Sequence, residues 1–517
     1  MRIPGLTVEF HPIHGETPAT RARVLAEHWI AAARSAHDAH GRIVALWGAD
    51  NRDRGEGFSV FAAYAMKEGL VVLELPIAER VGTYPDLARY FPGAARMQRA
   101  IFDLLGVAPE GAVDTRPWLR HGAWAPGEFP LRRDFDAAAV MERENAPENY
   151  AFVRVDGEGV HEIPVGPIHA GIIEPGHFRF SIVGEKVLRL EERLGYTHKG
   201  ADKRFEDFAI SDGYKLAGRI SGDSTVAYAW AYAQAAESAL GLAPPPRARW
   251  LRGLMLERER VANHLGDLGA LGNDGGLAFA LAQFMRLKED WLRLNAQVFG
   301  HRFMMDRIVP GGVEADIGAA EGIAIARQVD AIGTEVRTLN GIFEEHSGLQ
   351  DRFITAGRVT HDLARQLGLA GLAGRASGQA FDLRSDFPCA PYSDLEVKKI
   401  VHSAGDVAYR VRVRFEEIFE SLRLILAIVE RMPAGPLHAP AHEATEGALG
   451  VGWVEGWRGE VLVALEAGKD GRIRRCHAHD PSWQAWPLLE HAVIGNIVPD
   501  FPLINKSFNL SYSGQDS

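Results

Sequence analysis

Apolar and small residues recur at helical spacing through roughly residues 203–300, 314–370 and 395–432, and this long block limits what the chain can become. Two strand-like pieces, HFRFSIVG and EKVLRLEERLGY, come before it. Short strands with glycine turns, GWVEGWRGEVLVALEAG and GRIRRCHAH, come after it. The pattern predicts a mostly helical domain with β-structure at both ends, which is an α+β fold.

A second, smaller unit precedes this one. The pattern predicts a helix over residues 21–39, followed by strand-like runs RIVALWGA, FSVFAAYAM and LVVLELPI, which together indicate a small α/β domain. Residues 106–135 are rich in Pro, Gly and aromatics without periodicity, and read as an irregular segment that needs another surface to order it. The boundary falls after it, in the polar stretch MERENAPENYAFVRVDGEG, giving residues 1–150 and 151–517. With 517 residues, 46% hydrophobic and 24% charged, there is ample material for two cores.

The formal charge of -11 argues against nucleic acid as a partner, because phosphate binding needs a basic face. Two cysteines, Cys389 and Cys476, build no disulfide framework and indicate a reducing compartment. The opening MRIPGLTVEFHPIHG lacks an apolar core of signal-peptide length, and no stretch approaches the ~18–20 apolar residues of a membrane span. If the protein works at a membrane, a partner holds it there. No G-x-G-x-x-G follows a strand, and no phosphate loop, H-E-x-x-H or G-x-S-x-G is present, which excludes the usual self-contained dehydrogenases, NTPases, zinc proteases and α/β-hydrolases.

Several polar groups stand out. In WLRGLMLERERVANHLGDLGAL a helical period puts Glu257, Val261, His264 and Leu268 on one stripe, so two titratable groups share an apolar face. They read as a bonded Glu–His pair that fixes helix packing, or as a proton relay. GRASGQAFDLRSDFP places Arg375, Asp382, Arg384 and Asp386 in a glycine-punctuated loop, either as a salt-bridge cluster or as a cavity lining. GPIHAGIIEPGHF offers His169, Glu174 and His177 before a strand, without the spacing of a protein-only metal site. RISGDSTVAYAWAYAQAAE begins as a helix start capped by Ser-Gly-Asp-Ser.

Taken in order, VGPIHAGIIEPGHFRFSIVGE, GYTHKGADK, GRISGDSTVAYAWAYAQAAE, APPPRARWLRGLMLERERVANHLGDLG, GRASGQAFDLRSDFPCAPY and GDVAYRVRVRFEEI resemble the large subunit of membrane-bound, energy-converting nickel–iron hydrogenases and the homologous quinone-site subunit of complex I. RYFPGAARMQRAIFDLLGV and WLRHGAWAPGEFPLRRDF resemble the small accessory subunit of the same complexes, here fused to the large one. The hydrogenases of this family hold nickel and iron with two C-x-x-C pairs. Here the corresponding positions are Ser221, Ser224, Ser511 and Gly514, and none has the sulfur that soft metals require. The complex I tyrosine falls on Gly222 and its histidine on Pro175, with His177 nearby, and Asp202 stands where hydrogenases often carry glutamate.

The pattern is similar to hydrogenase-related complexes that keep the fold without the nickel–iron centre. The resemblance implies no cofactor in this chain, a partner small subunit with an iron–sulfur cluster, antiporter-like membrane subunits and other complex members. It also implies a peripheral position on the cytoplasmic side of the membrane. The expected cavity is lined by His169, His177, Asp223, Ser224, Tyr228, Arg375 and Asp382, with Tyr228 and His177 as donors, Arg375 as an anion clamp and Asp223 as a relay, and with Asp202, Glu257 and His264 as further relay candidates. A quinone-reducing subunit and a non-catalytic structural subunit are the alternatives.

Overall fold

The structure, a computed structural model, describes residues 2–138, 148–168, 173–440 and 445–517. The N-terminal unit is a five-stranded sheet in the order β1 (His11–Ile13), β2 (Ala19–Arg23), β5 (Gly69–Ile77), β4 (Phe58–Met66), β3 (Arg42–Asp50). Its pairs are antiparallel except β2 with β5. The three expected strands are β3, β4 and β5, side by side with β3 at the edge. The first helix is shorter than predicted: it spans Ala26–Asp38, and residues 19–23 form β2 instead. Pairing with β5 buries Ala19, Thr20 and Ala22, and this overrides the local helical pattern.

The larger unit begins with an antiparallel sheet in which strand His177–Val183 lies between Val160–Val165 and Lys186–Arg193. It ends with a second antiparallel sheet of Leu449–Glu455, Glu460–Ala467 and Ile473–His479. Between them run the long helices Thr225–Leu240, Pro246–Asp274, Ala278–Phe299, Ala319–Glu345 and Val407–Arg431. The periodic blocks are therefore helical but broken by turns, and the GRASGQAFDLRSDFP segment is not a loop throughout, since Gly371–Ala376 and Leu383–Asp386 are short helices.

The Thr225–Leu240 helix lies directly on the C-terminal sheet. Gly450 and Gly452 make this approach possible, because a Cβ at either would strike the carbonyl of Ala235 or Ala231. The alanine-rich face AYAWAYAQAA is the complementary surface, so backbone packs on backbone and the N-terminus of this helix is fixed at the sheet edge. The Pro246–Asp274 helix crosses next to it with most of its length buried.

The two units share one seam. Arg42 pairs with Glu460 (2.5 Å), Arg475 donates to the Gly48 carbonyl (2.8 Å) and Trp47 stacks on His477 (5.4 Å). The irregular stretch 106–135 orders along this seam against the chain itself: Asp103 accepts from the amides of Trp118 and Leu119, and Arg193 donates to the Pro117 carbonyl.

Candidate functional site

The Thr225–Leu240 helix is not capped by the serines that precede it. Residues 222–224 form a single 3-10 turn, and neither Ser221 nor Ser224 gives a side-chain cap. Glu259 of the neighbouring helix does so instead: its carboxylate accepts from the amides of Val226 (2.6 Å) and Ala227 (3.1 Å). That leaves the serine hydroxyls free to face the other way.

There they meet the chain's C-terminal segment. Ser221 Oγ is 2.8 Å from Ser511 Oγ and donates to Asp223 Oδ1 (2.9 Å). Ser511 in turn accepts from the Gly514 amide (2.9 Å). Arg458 closes the group with a two-pronged pair to Asp223, Nη1 to Oδ1 at 2.7 Å and Nη2 to Oδ2, and reaches Ser224 Oγ at 3.2 Å. The guanidinium lies over the Trp457 ring (4.0 Å) and donates to the Asn509 carbonyl, which a left-handed turn (φ 47°) presents. Trp457 Nε1 and Asn263 Nδ2 hold the Asp223 carbonyl at 3.0 and 2.7 Å. Tyr228 donates to Asp480 Oδ2 (2.7 Å), and Asp480 Oδ1 accepts from the Ser482 amide (2.8 Å).

Burial alone would raise the Asp223 carboxyl, but the Arg458 charge and hydrogen bonds, with Ser221, outweigh it and hold it down at about 2. It is therefore an anion at neutral pH. Its side chain is 39% exposed, and a Cβ at the adjacent Gly222 would meet nothing within 4 Å, so the turn opens onto free space. Burial pulls the ammonium of Lys288 down, against the pull of Asp267 and Asp223. Burial and Asp480 keep the Tyr228 hydroxyl protonated well above its ordinary range.

These residues do not fit a nickel–iron centre. The Ser221 and Ser511 hydroxyls are bonded to each other, and both stay protonated and hard. A Cβ at Gly514 would collide with the Asp480 carboxyl, lying 2.6 Å from its Cγ and 2.9 Å from Ser511 Oγ, so a fourth ligand has no room. Among the described residues no group of three or more His, Cys, Asp or Glu is placed to hold a metal ion. Cys476 is buried and Cys389 half-buried, and burial pushes both thiols up.

The other expected residues lie elsewhere. Arg375 and Asp382 belong to a fully buried ionic cluster with Glu257, Arg260, His264, Arg384, Glu417 and Glu455. Within it His264 bonds Glu417 (2.8 Å) rather than Glu257. Glu257 is claimed by Arg260, Arg384, Tyr392 and Ser421. Asp202 is held by Arg475 (2.7 Å) and His477 (3.0 Å) at the seam between the units. His177 bonds the Gly166 carbonyl (2.9 Å) through Nδ1 and lines a separate open groove of about 610 Å³ with Tyr150, Phe152 and Arg179. His169 lies outside the described residues. Sequence reasoning missed Arg458, Asp480 and Glu259. Arg458 has a visible signal, a charged residue between two glycines in the turn GWRG, whereas Asp480 and Glu259 have none.

The positions that the resemblance marks as former metal ligands, Ser221, Ser224, Ser511 and Gly514, thus lie in and around a hydrogen-bonded ion-pair site. Residues 274–448 match the model of the respiratory-chain NADH dehydrogenase 49 Kd subunit, and residues 22–140 that of the 30 Kd subunit. The two domains are thus fused in one chain. Relatives include formate hydrogenlyase subunit 5 of Escherichia coli K12 (27% identical, over 92% of this chain and 85% of that one). Hydrogenase-4 component G of the same organism is 29% identical over 93% and 84%. An NADH-quinone oxidoreductase subunit of Phocaeicola vulgatus is 27% identical over 78% and 81%. Among solved structures, a chain of the membrane-bound sulfane sulfur reductase, an archaeal respiratory membrane complex, shares the fold with a TM-score of 0.66 at 24% identity, over 70% of this chain and 99% of that one. The chain is thus an oxidoreductase-complex subunit of the hydrogenase and complex I kind.

Proposed function

We propose that this chain is a subunit of a membrane-bound, ion-translocating redox complex, and that its Asp223–Arg458 cleft receives a substrate reduced by electrons from a partner's iron–sulfur cluster, without hydrogen chemistry. Relatives drawn from hydrogenases and quinone oxidoreductases support membership in such a complex. Among the described residues no helix is long and apolar enough to cross a membrane, which fits attachment through membrane partners, the antiporter-like subunits among them, on the cytoplasmic face.

One observation carries the reading of the site: where the family's metal ligands stand, the chain has built a charged pair beside the open space at Gly222. A decayed site would be filled with apolar side chains, because an ion pair at a protein wall stabilises little for what its desolvation costs. Arg458 offers a fork for an anionic or carbonyl oxygen. Asp223, whose second-oxygen bond to Arg458 a substrate can displace, is positioned to accept or relay a proton. Electrons would come from the partner's cluster and protons through the polar residues around the turn.

The test is reduction of quinone analogues and other two-electron acceptors by the purified complex, with Asp223→Asn and Arg458→Gln compared with wild type. Loss of acceptor reduction with the complex still assembled supports the reading. Full coupled turnover in both variants, or stoichiometric nickel in the complex, overturns it. Competitive inhibition by quinone-site inhibitors would identify the acceptor as a quinone.

A further inference from the structure

Behind the cleft lies a cluster whose charges do not balance. Four carboxylates (Glu257, Asp382, Glu417 and Glu455) face three guanidiniums (Arg260, Arg375 and Arg384), with one imidazole, His264, and every one of these residues is buried. The connections are continuous. Arg375 bonds Glu417 through Nε (3.0 Å) and Nη2 (2.7 Å) and Glu455 through Nη1 (2.7 Å). Arg384 bonds Asp382 (2.7 Å) and Glu257 (3.2 Å). His264 Nε2 meets the second oxygen of Glu417, and its Nδ1 finds no partner among the described residues. With all carboxylates ionised and the imidazole neutral, the cluster carries one uncompensated negative charge buried away from the surface, a state that protein interiors avoid by taking up a proton.

We propose that this cluster is a proton store, holding one exchangeable proton on Glu455 and coupled to the cleft through the turn that joins Glu455 to Arg458.

Two arrangements support the assignment to Glu455 and the coupling. Glu455 is the carboxylate with the fewest cationic contacts: one Arg375 nitrogen on Oε1 and only the Leu383 amide (3.2 Å) on Oε2, whereas Glu417, Asp382 and Glu257 each take two or more charged or hydroxyl donors. The same turn serves both sites. Arg260 clamps the carbonyls of Glu455 (2.7 Å) and Gly456 (2.8 Å), Trp457 holds the Asp223 carbonyl and packs edge-on against His264 (6.1 Å), and Arg458 pairs with Asp223. A change of charge on either end of a four-residue turn pinned this way is felt at the other.

The charged groups that face the store are few. Arg375 faces Glu455 from the first short helix and Asp382 from the cap of the second, where Arg384 pairs with it; Arg260 acts from the Pro246–Asp274 helix, and Glu417 of the Val407–Arg431 helix shares Arg375 with Glu455. Arg414 and Asp267 face His264, but pair with each other at 2.9 Å, with Lys506 at 3.5 Å from Asp267. Burial, opposed by Arg375 and reinforced by Asp382, pushes the Glu455 carboxyl up to about 7, while burial, opposed by Glu417, pulls the His264 imidazole down. Both directions put the proton on the carboxylate.

The inference deepens the proposed function and rests on it only for what moves the proton. The store itself is read without turnover, by infrared difference spectroscopy of the oxidised, purified complex titrated through neutral pH. The expected result is a neutral carboxylic-acid C=O band that appears as pH falls and is absent from Glu455→Gln. Charge balance adds an independent arm: Glu417→Gln removes one of the four negative charges, so Glu455 should stay ionised and the band should again be missing. Absence of a titrating acid band in wild type, or its persistence in both variants, overturns the store while leaving the cleft reading standing. Acceptor reduction lost on changing Asp223, with the band unchanged, separates the two in the other direction.

Discussion

Gly514→Ala tests how tightly the turn at Gly514 is packed. An added Cβ would lie 2.6 Å from Asp480 Cγ and 2.9 Å from Ser511 Oγ, well inside contact distance, so one of the two must move. Asp480 has little freedom to do so: Tyr228 holds one oxygen at 2.7 Å, the Ser482 amide holds the other at 2.8 Å, and the residue is 1% exposed. Ser511 is tied to Ser221 and to the Gly514 amide. Overpacking of this kind costs about 1–3 kcal/mol, and losing a hydrogen bond to a charged group adds about 1.5–3 kcal/mol if Asp480 yields. The expected destabilisation is about 2–4 kcal/mol. For 517 residues, unfolding entropy gives roughly 1 °C per kcal/mol, so the apparent melting midpoint should fall by about 2–4 °C when followed by intrinsic fluorescence at a fixed scan rate. Gly222→Ala, whose Cβ meets nothing, is the control and should stay within about 1 °C of wild type. In an Asp480→Ala background Gly514→Ala should cost little more, a coupling of at least about 1 kcal/mol. A midpoint for Gly514→Ala within 1 °C of wild type, or strict additivity with Asp480→Ala, would refute the reasoning.

Other outcomes follow from the same geometry. Tyr392→Phe removes a 2.6 Å bond to the buried Glu257 carboxylate and should destabilise by about 1.5–3 kcal/mol, read as a lower melting midpoint, even though no atom of the cleft is touched. Burial pulls the His479 imidazole down to about 3, so below its unfolded value near 6.5 the unfolded chain takes a proton that the folded chain refuses. Stability should therefore drop by roughly a few kcal/mol as pH falls from 6.5 toward 3, and His479→Gln should flatten that acid limb. For Asp223 the folded value of about 2 lies below the ordinary 3.8. Its pairing with Arg458 is complete above about pH 4 and is lost as pH falls through 2, so acceptor reduction should show no acid limb from this carboxylate in the neutral range. Elemental analysis of the purified complex should find no nickel bound to this chain.

The strands and the long helices were legible because period and turn residues speak locally: FSVFAAYAM and GWVEGWRGEVLVALEAG lie where they should. What failed was contact across the chain. Residues 21–23 look helical until β5 offers them an edge to pair with, and Ser-Gly-Asp-Ser looks like a cap until Glu259, from the next helix, supplies a better one. Glu257 and His264 do share a stripe of one helix, but seven residues of separation cannot say which partners on other elements will claim them. Tyr392, Arg384 and Ser421 take the first and Glu417 takes the second. The resemblance singled out Ser221, Ser224, Ser511 and Gly514, and the structure brings Ser221 against Ser511. Arg458, which pairs with Asp223 beside them, is 234 residues from Ser224 and becomes visible only when the sheet brings it there.

The polar groups around Ser221 and Gly514 depend on one another, and that bears on whether the site has a use. Ser221 bonds Ser511, Ser511 needs the Gly514 amide, Gly514 needs Asp480 where it is, Asp480 needs Tyr228, and Asp223 needs Arg458. A single cysteine at Ser221 or Ser511 would break their mutual bond and supply one thiol, not a ligand set. Random decay has no reason to install a bidentate Arg–Asp pair beside an open turn, or to connect it by four residues to a buried cluster one positive charge short. Arrangements of this kind persist when charge at one end has work to do at the other.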